Sequence, residues 1–452
     1  MTDHMESSVD SDTPEDTRTN RGLNAPSSER VASVDTVRGL TILLMIFVND
    51  LGTAAPAWMH HIQPSDADGM TLADIVFPAF LFLVGISIPL AAERALATGR
   101  TRTQVLSHVL TRTIGLLIMG LIGLNRSGDE TLGNPLWGLA GYVAIILAWS
   151  VIPSARGRRR NTFIALKSLG AAGLIILLIV YRSEPSATEV MFIGPVANWT
   201  WLRTGWWGIL GLIGWAYLTA SVVYLLLRTR REWLMGAMAL LFVNYLALSD
   251  GGFFTRIADK VWLDPLQPLL RLLENAVSFV GHFVDLGSCT GSLAAIVVAG
   301  SLLGTTLSGP QNLNEHSSRI KWAAMFVLGL FVAGLVFDNF AGVNKIAATP
   351  TWCLWCAALT CAVWTIVYWV MDVRGVVRWS IIARPAGANP LIAYLLHPIL
   401  ISLISICGLS DELLSYQNAP EASGVILGSI AMALIVCALT GLIARAGLTV
   451  RI

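Results

Sequence analysis

Near the start of the chain two apolar runs frame a polar loop: R-G-L-T-I-L-L-M-I-F-V-N-D (38–50), M-H-H-I-Q-P-S-D-A-D-G-M-T (59–71), then L-A-D-I-V-F-P-A-F-L-F-L-V-G (72–85). Each run supplies most of the length a helix needs to cross a bilayer, about 20 residues. The loop carries adjacent histidines, His60 and His61. Asn49 and Asp50 close the first run and Asp74 opens the second. Ionisable groups at the edge of a membrane span are costly to keep, so a cluster of them reads as functional by default. This mouth is the candidate reaction site.

The whole chain fits that reading. Of its 452 residues 55% are hydrophobic and 13% charged, and the mean hydropathy is +0.66. Soluble domains are about a quarter charged, so the composition predicts an all-α polytopic membrane protein. Sixteen tryptophans suit the headgroup boundary. Cys353 and Cys356 have C-x-x-C spacing, but in an apolar run with no second pair they read as small apolar residues rather than a metal or redox site. No metal is expected. Nothing resembles a phosphate-binding glycine loop or a nucleic-acid module, which leaves no nucleic-acid partner.

Residues 1–33 are polar and read as a disordered cytoplasmic tail. The rest, 34–452, reads as one membrane domain. Apolar runs centre on 38–55, 74–93, 111–125, 136–154, 162–181, 205–228, 232–249, 286–308, 320–340, 351–372, 386–407 and 424–447. They predict a bundle of about 10–12 transmembrane helices, the third one short. Segment 264–285 reads as an interfacial amphipathic helix. Arginine clusters recur in alternate loops, at Arg94 to Arg112, Arg156 to Arg160, Arg228 to Arg231 and Arg374 to Arg384. By the positive-inside rule these loops and both termini face the cytoplasm. The His60–His61 loop then faces outward, and Asn344 and Lys345 leave the ninth span on the same face. Arg38 enters the first span from inside, Asn389-Pro390 opens the eleventh from inside, and His397 lies two turns further in.

Imidazole titrates near neutral pH and can hold a proton during group transfer. His61 is the first candidate and His60 the fallback, since sequence alone cannot tell which ring points where. Asp74 can orient the ring and stabilise its cation, cap the second helix, or do both. Thr71 is the alternative cap. Asn49 can donate to an oxyanion or merely end its helix. Lys345 can bind substrate oxygens or snorkel to the interface. His397 can line a cavity, or bond a carbonyl freed by Pro398. The inner arginines can hold phosphates or serve topology alone.

R-V-A-S-V-D-T-V-R-G-L-T-I-L-L-M-I-F-V-N (30–49) and G-M-T-L-A-D-I-V-F-P-A-F-L-F-L-V-G (69–85) resemble the heparan-α-glucosaminide N-acetyltransferase family. Weaker echoes lie at 201–217, 342–352 and 387–397. The resemblance implies transmembrane acetylation, from cytoplasmic acetyl-CoA to an extracytoplasmic amino sugar through a histidine on the first outer loop. It matches His61 to the reactive histidine, with Asn49 and Asp74 as its catalytic companions. Asp50, His60, Asn344 and Lys345 are then the candidates to bind the acceptor, and Arg38, Asn389 and His397 to bind the donor. The family's P-G-V-L-Q-R stretch is reduced here to N-P-L-W-G-L-A-G (134–141), without its arginine. The expected form is a short, bacterial inner-membrane relative without the large lumenal domain, acting on a sugar or glycan, with a homodimer left open. The rival is a sugar or lipid transporter or flippase, for which 220–452 lacks the expected second copy of the loop motif.

Overall fold

Hydrocarbon offers no partner to a free N–H or C=O, so a chain this apolar must close its backbone bonds within helices. The computed structural model describes residues 31–125, 134–151, 158–182, 201–248, 267–281 and 283–450, and over these the protein is all-α. Among the described residues the β pairing is an isolated bridge between Ser150 and Val450. The expectation for residues 1–33 lies outside the described residues, save for the last three. Loop residues Arg126 and Arg156 lie outside them as well.

The helices follow in order: α1 (Ala32–Asp50), α2 (Leu72–Ala97), α3 (Arg102–Asn125), α4 (Asn134–Trp149), α5 (Arg158–Val180), α6 (Gly208–Leu227), α7 (Arg231–Leu248) and α8 (Gln267–Gly281). Then come α9 (Leu293–Gly304), α10 (His316–Ala341), α11 (Pro350–Tyr368), α12 (Arg384–Ala388), α13 (Pro390–Ile406), α14 (Ser410–Leu413) and α15 (Ala422–Arg445). Among the described residues eight helices are long and apolar enough to cross a membrane, and three shorter apolar ones cover Leu136–Trp149, Ser288–Gly304 and Pro390–Ile406. The protein is an all-α polytopic membrane protein, and each of the twelve apolar runs falls on a helix. The third is longer than its hydropathy suggests. Thr101 and Gln104 exchange cap bonds, Thr101 N–H to Gln104 Oε1 at 2.9 Å and Gln104 N–H to Thr101 Oγ1 at 3.2 Å. That capping box extends α3 by polar turns that carry no apolar signal. Segment 264–285 contributes α8, which exposes Leu269, Leu272 and Phe279.

In a bilayer helices are drawn together by close packing more than by expulsion of water, so small residues mark the tightest crossings. A Cβ on Gly85 of α2 would sit 2.1 Å from the Val297 carbonyl oxygen of α9, and one on Gly300 1.9 Å from that of Phe82. These helices meet backbone to backbone, and every residue of α9 is buried. Gly39 of α1 and Gly387 of α12 repeat the device, with Cβ positions 1.9 Å from the Ala383 oxygen and 1.7 Å from the Asp35 oxygen. Around this centre α1 packs on α2, α11, α12, α13 and α15. Helices α5 and α10 lie outermost, exposing side chains such as Ile175, Ile176, Met325 and Leu328.

Gly300→Ala should therefore destabilise the bundle by about 1–3 kcal/mol, the usual cost of overpacking. Gly236→Ala, whose added Cβ meets nothing within 4 Å, should not. Thermal unfolding of the detergent-solubilised variants checks this, with a lowered Tm expected for Gly300→Ala alone.

Candidate active site

The site begins with the way α2 starts. Thr71 is the N-cap and Asp74 the third helical residue, and the Asp74 carboxylate reaches back to the Thr71 N–H at 3.1 Å. The same oxygen, Oδ2, accepts from the Thr71 hydroxyl at 2.9 Å and from the Ile62 N–H at 3.1 Å. The other oxygen, Oδ1, lies 2.8 Å from Nδ1 of His61. Capping and histidine orientation thus coexist, one on each oxygen. Asp74 is completely buried, whereas the His61 side chain is 48% exposed.

An ionised carboxylate only accepts, so the 2.8 Å contact requires the proton on Nδ1 and leaves the lone pair on Nε2. Lys345 Nζ rests against the same ring edge, 3.3 Å from Nε2 and 2.9 Å from Nδ1, and 3.6 Å from Asp74 Oδ1. Burial lowers the Lys345 ammonium below the ordinary lysine range, and the Asp74 carboxylate opposes that shift. The result is an imidazole with a defined tautomer, an anion at Nδ1 and a cation close to both ring nitrogens.

Two distant loops are stapled to make this possible. Asp68 accepts from the Val343 N–H at 2.7 Å, and the Gly69 N–H bonds the Val343 oxygen at 2.8 Å. The Asn344 side chain donates to the Ser65 and Ala67 oxygens at 2.9 and 3.2 Å and accepts from the Ala347 N–H at 2.8 Å. Asn344 is therefore spent on holding the loops and so carrying Lys345 to His61. His60 lies beside the site, but its Nε2 is buried without a partner among the described residues. Its carbonyl oxygen also lies against the Thr71 hydroxyl, whose single proton it shares with Asp74 Oδ2.

His61 and Lys345 border a cavity of about 310 Å³ that runs along α1. Asn49 lines the same end, and no partner bonds its amide among the described residues. Ile42, Met45, Phe77, Phe80 and Ile213 form apolar walls, and Arg38, Ser87, Arg112 and Tyr217 close the far end. Eleven residues of α1 separate Arg38 from Asn49, about 16 Å at the helical rise. Arg38 is anchored to Asp35 Oδ1 at 3.0 Å, the Gly387 oxygen at 3.1 Å and Ser87 Oγ at 2.7 Å. Arg112 stacks 4.8 Å from the centre of the Tyr217 ring, and its Nε is buried without a partner among the described residues. A narrow recess lined by Arg100, His108 and Arg112 extends this end.

Three residues picked out by sequence lie elsewhere. Asp50 turns away from His61 and bonds Tyr416 Oη at 2.6 Å, Gln417 Nε2 at 2.9 Å and His397 Nε2 at 3.3 Å. His397 thus joins Asp50 and not Arg38. Asn389 is buried at the joint between α12 and α13, while Pro390 and Leu391 beside it line the arginine-ended cavity. Sequence reading overlooked Ser87, Tyr416 and Gln417, which carry no motif, and did not single out Tyr217 at the end of the 201–217 echo. It counted Arg112 as a loop charge, although ten residues of helix precede it.

Residues 30–182 match a family described as a domain of unknown function (DUF5009). A stretch of 99 residues is 37% identical to the mouse heparan-alpha-glucosaminide N-acetyltransferase, covering 22% of this chain and 14% of the mouse protein. Against the human enzyme the identity is 36% over 96 residues, or 21% of this chain and 14% of that protein. The chain is distantly homologous to these N-acetyltransferases, and the likeness spans about 14% of their length.

Removing the Asp74 carboxylate leaves buried donors and Lys345 without their anion, so Asp74→Ala should cost about 3 kcal/mol. Half-exposed His61 contributes little to the fold, and His61→Ala should cost less than about 1 kcal/mol. Denaturant unfolding of the purified variants tests the difference.

Proposed function

We propose that this protein is a transmembrane acyltransferase. It takes an acetyl group from acetyl-CoA at the Arg38–Arg112 end of the cavity and passes it to the amino group of a sugar or glycan near His61. The observation that carries the reading is the cavity itself, a long apolar passage with guanidinium groups at one end and the Asp74–His61–Lys345 cluster at the other. It coincides with the distant homology to membrane N-acetyltransferases.

The residues suit each half of the reaction. The buried Nε of Arg112, unpartnered among the described residues, and the neighbouring Arg100 fit the phosphates of a nucleotide-bearing donor. The apolar walls suit a thin acyl-carrying arm. At the other end His61 Nε2 offers a lone pair that can attack the acyl carbon or take a proton from the attacking group. Asp74 favours the imidazolium that either route creates. The Asn49 amide and the Lys345 ammonium are donors for the oxyanion of the tetrahedral intermediate. Positive charge recurring in alternate loops supports an orientation with the Arg38 end toward the cytoplasm, where acetyl-CoA is made. The protein would then be a bacterial-type inner-membrane enzyme with both termini inside.

His61→Ala should abolish transfer of labelled acetyl to a panel of amino sugars, a loss of at least about 10²–10⁴-fold for a missing base or nucleophile. CoA binding should survive, and His60→Ala should cost far less. Calorimetric titration at low salt that detects no CoA binding, together with no turnover, would instead favour a transporter.

Orientation has its own test. In a Cys407→Ser background, a cysteine at Ser65 should be labelled by an impermeant maleimide added outside intact cells, and one at Thr98 should not. The reverse pattern would overturn both the topology and the direction of transfer.

A further inference from the structure

Beyond Asn49 lies a second cavity, of about 500 Å³, lined by Asn49, Asp50, Tyr142, Trp206, His397 and Gln417 among others. It shares Asn49 and Tyr394 with the first cavity. The Asn49 amide therefore stands where the two adjoin. At the heart of this second cavity is another histidine–aspartate pair. Asp50, 2% exposed, accepts from Tyr416, Gln417 and His397. Burial and the Asp50 carboxylate push the Tyr416 phenol above its ordinary range, so it remains a donor. Since Asp50 only accepts, the proton of His397 sits on Nε2 and its Nδ1 holds the lone pair. Among the described residues nothing bonds that nitrogen.

We propose that this second cavity is the acceptor site and that His397, positioned by Asp50, is the base that deprotonates the acceptor amine. The inference rests on the acyltransferase reading and deepens it. The lining suits a hydroxylated ring: Trp206 and Tyr142 offer faces for its apolar side, and Asn49, Gln417 and His397 offer bonds for its polar groups. A second base also leaves His61 free to carry the acyl group. Lys345 already rests against the His61 ring, whereas His397 is held by the Asp50 carboxylate, and no cation bonds it among the described residues.

The step balances without any further reagent. The amine lone pair attacks the acyl carbon at the Asn49 wall and a C–N bond forms. The carbon–sulfur bond of the thioester breaks, or the carbon–nitrogen bond to His61 if the acetyl has first moved there, and the leaving atom keeps the electron pair. The proton lost by the amine goes to Nδ1 of His397 and later to water. The product is an N-acetylated sugar.

The test uses full-length protein in detergent with acetyl-CoA and two acceptors, glucosamine and hydroxylamine. Glucosamine needs a base to give up its proton, while hydroxylamine is small, uncharged at neutral pH and nucleophilic without help. For His397→Gln, transfer to glucosamine should fall by about 100-fold, with hydroxylamine transfer and CoA binding close to wild type. Asp50→Asn should lower kcat for glucosamine with the same selectivity, and Asp50→Glu should recover part of it. Trp206→Ala, a change at an exposed side chain, should raise the glucosamine KM by about tenfold and leave kcat in place. Equal losses with both acceptors in His397→Gln, or an unchanged glucosamine rate, would overturn the assignment. So would a Trp206→Ala protein with unaltered KM, the deciding result if His397→Gln fails to fold. Wild-type protein that binds no CoA and acetylates neither acceptor would refute the acyltransferase reading itself. A wild type that turns over beside an indifferent His397→Gln would refute this inference alone.

Discussion

The carboxylate of Asp74 has no exposed surface, and an ionised group placed there must find its hydrogen bonds within the protein. It finds them in two directions. Oδ2 draws in the Thr71 N–H and hydroxyl and the Ile62 N–H, which starts α2 and bends the loop back over its first turn. Oδ1 draws in His61, with Lys345 close behind. The loop at 60–71 and the loop at 342–349 come together around this one anion, although 271 residues separate Asp74 from Lys345 in the chain. The group that fixes the loop also fixes the imidazole tautomer, so fold and candidate chemistry here share one cause.

Much of this was legible in the sequence because hydropathy and charge act over whole segments. The twelve apolar runs fell on helices, and counting spans put Lys345 on the same end of the bundle as His61, where the structure brings them into contact. Individual side-chain directions were not legible. Asn49 and Asp50 are neighbours, yet successive residues on a helix point about 100° apart. One faces both cavities, while the other is buried against His397 and Tyr416. His60 and His61 differ in the same way, as the extended backbone at His60 turns the two rings apart. Asn344 reads as a substrate ligand because span counting puts it on the face of the histidines, but its amide is used up on the neighbouring loop. From sequence Arg112 counts with the inner loop arginines because α3 begins ten residues before it, in polar turns closed by a capping box that carry no apolar signal.

Charge placement along α1 follows from the cost of ions in a low-dielectric interior. Arg38 sits near the start of the helix with Asp35, the Gly387 carbonyl and Ser87 around it. Asp50 sits at the end with three donors. Between them the helix contributes Ile42, Met45 and Val48 to the cavity wall. A charged donor that kept its phosphates among the arginines would present only neutral, slender chemistry to this middle section. The polar groups reappear where an acyl carbon would need them.

The close glycine crossings bear on how such a passage can work. Alternating-access transporters move one bundle against another about a fixed site, which requires an interface that can slide. Here α2 and α9 touch through Gly85 and Gly300, and α1 and α12 through Gly39 and Gly387, each so closely that one added carbon would collide with backbone. Interlocked backbones resist sliding, because any shift first has to separate surfaces with no side chain between them. Helices α1 and α2 are also the ones that carry Arg38, Asn49 and Asp74. A scaffold held this way suits a reaction in which the acyl group crosses and the helices stay. The two ends of the cavity can then stay at a constant separation.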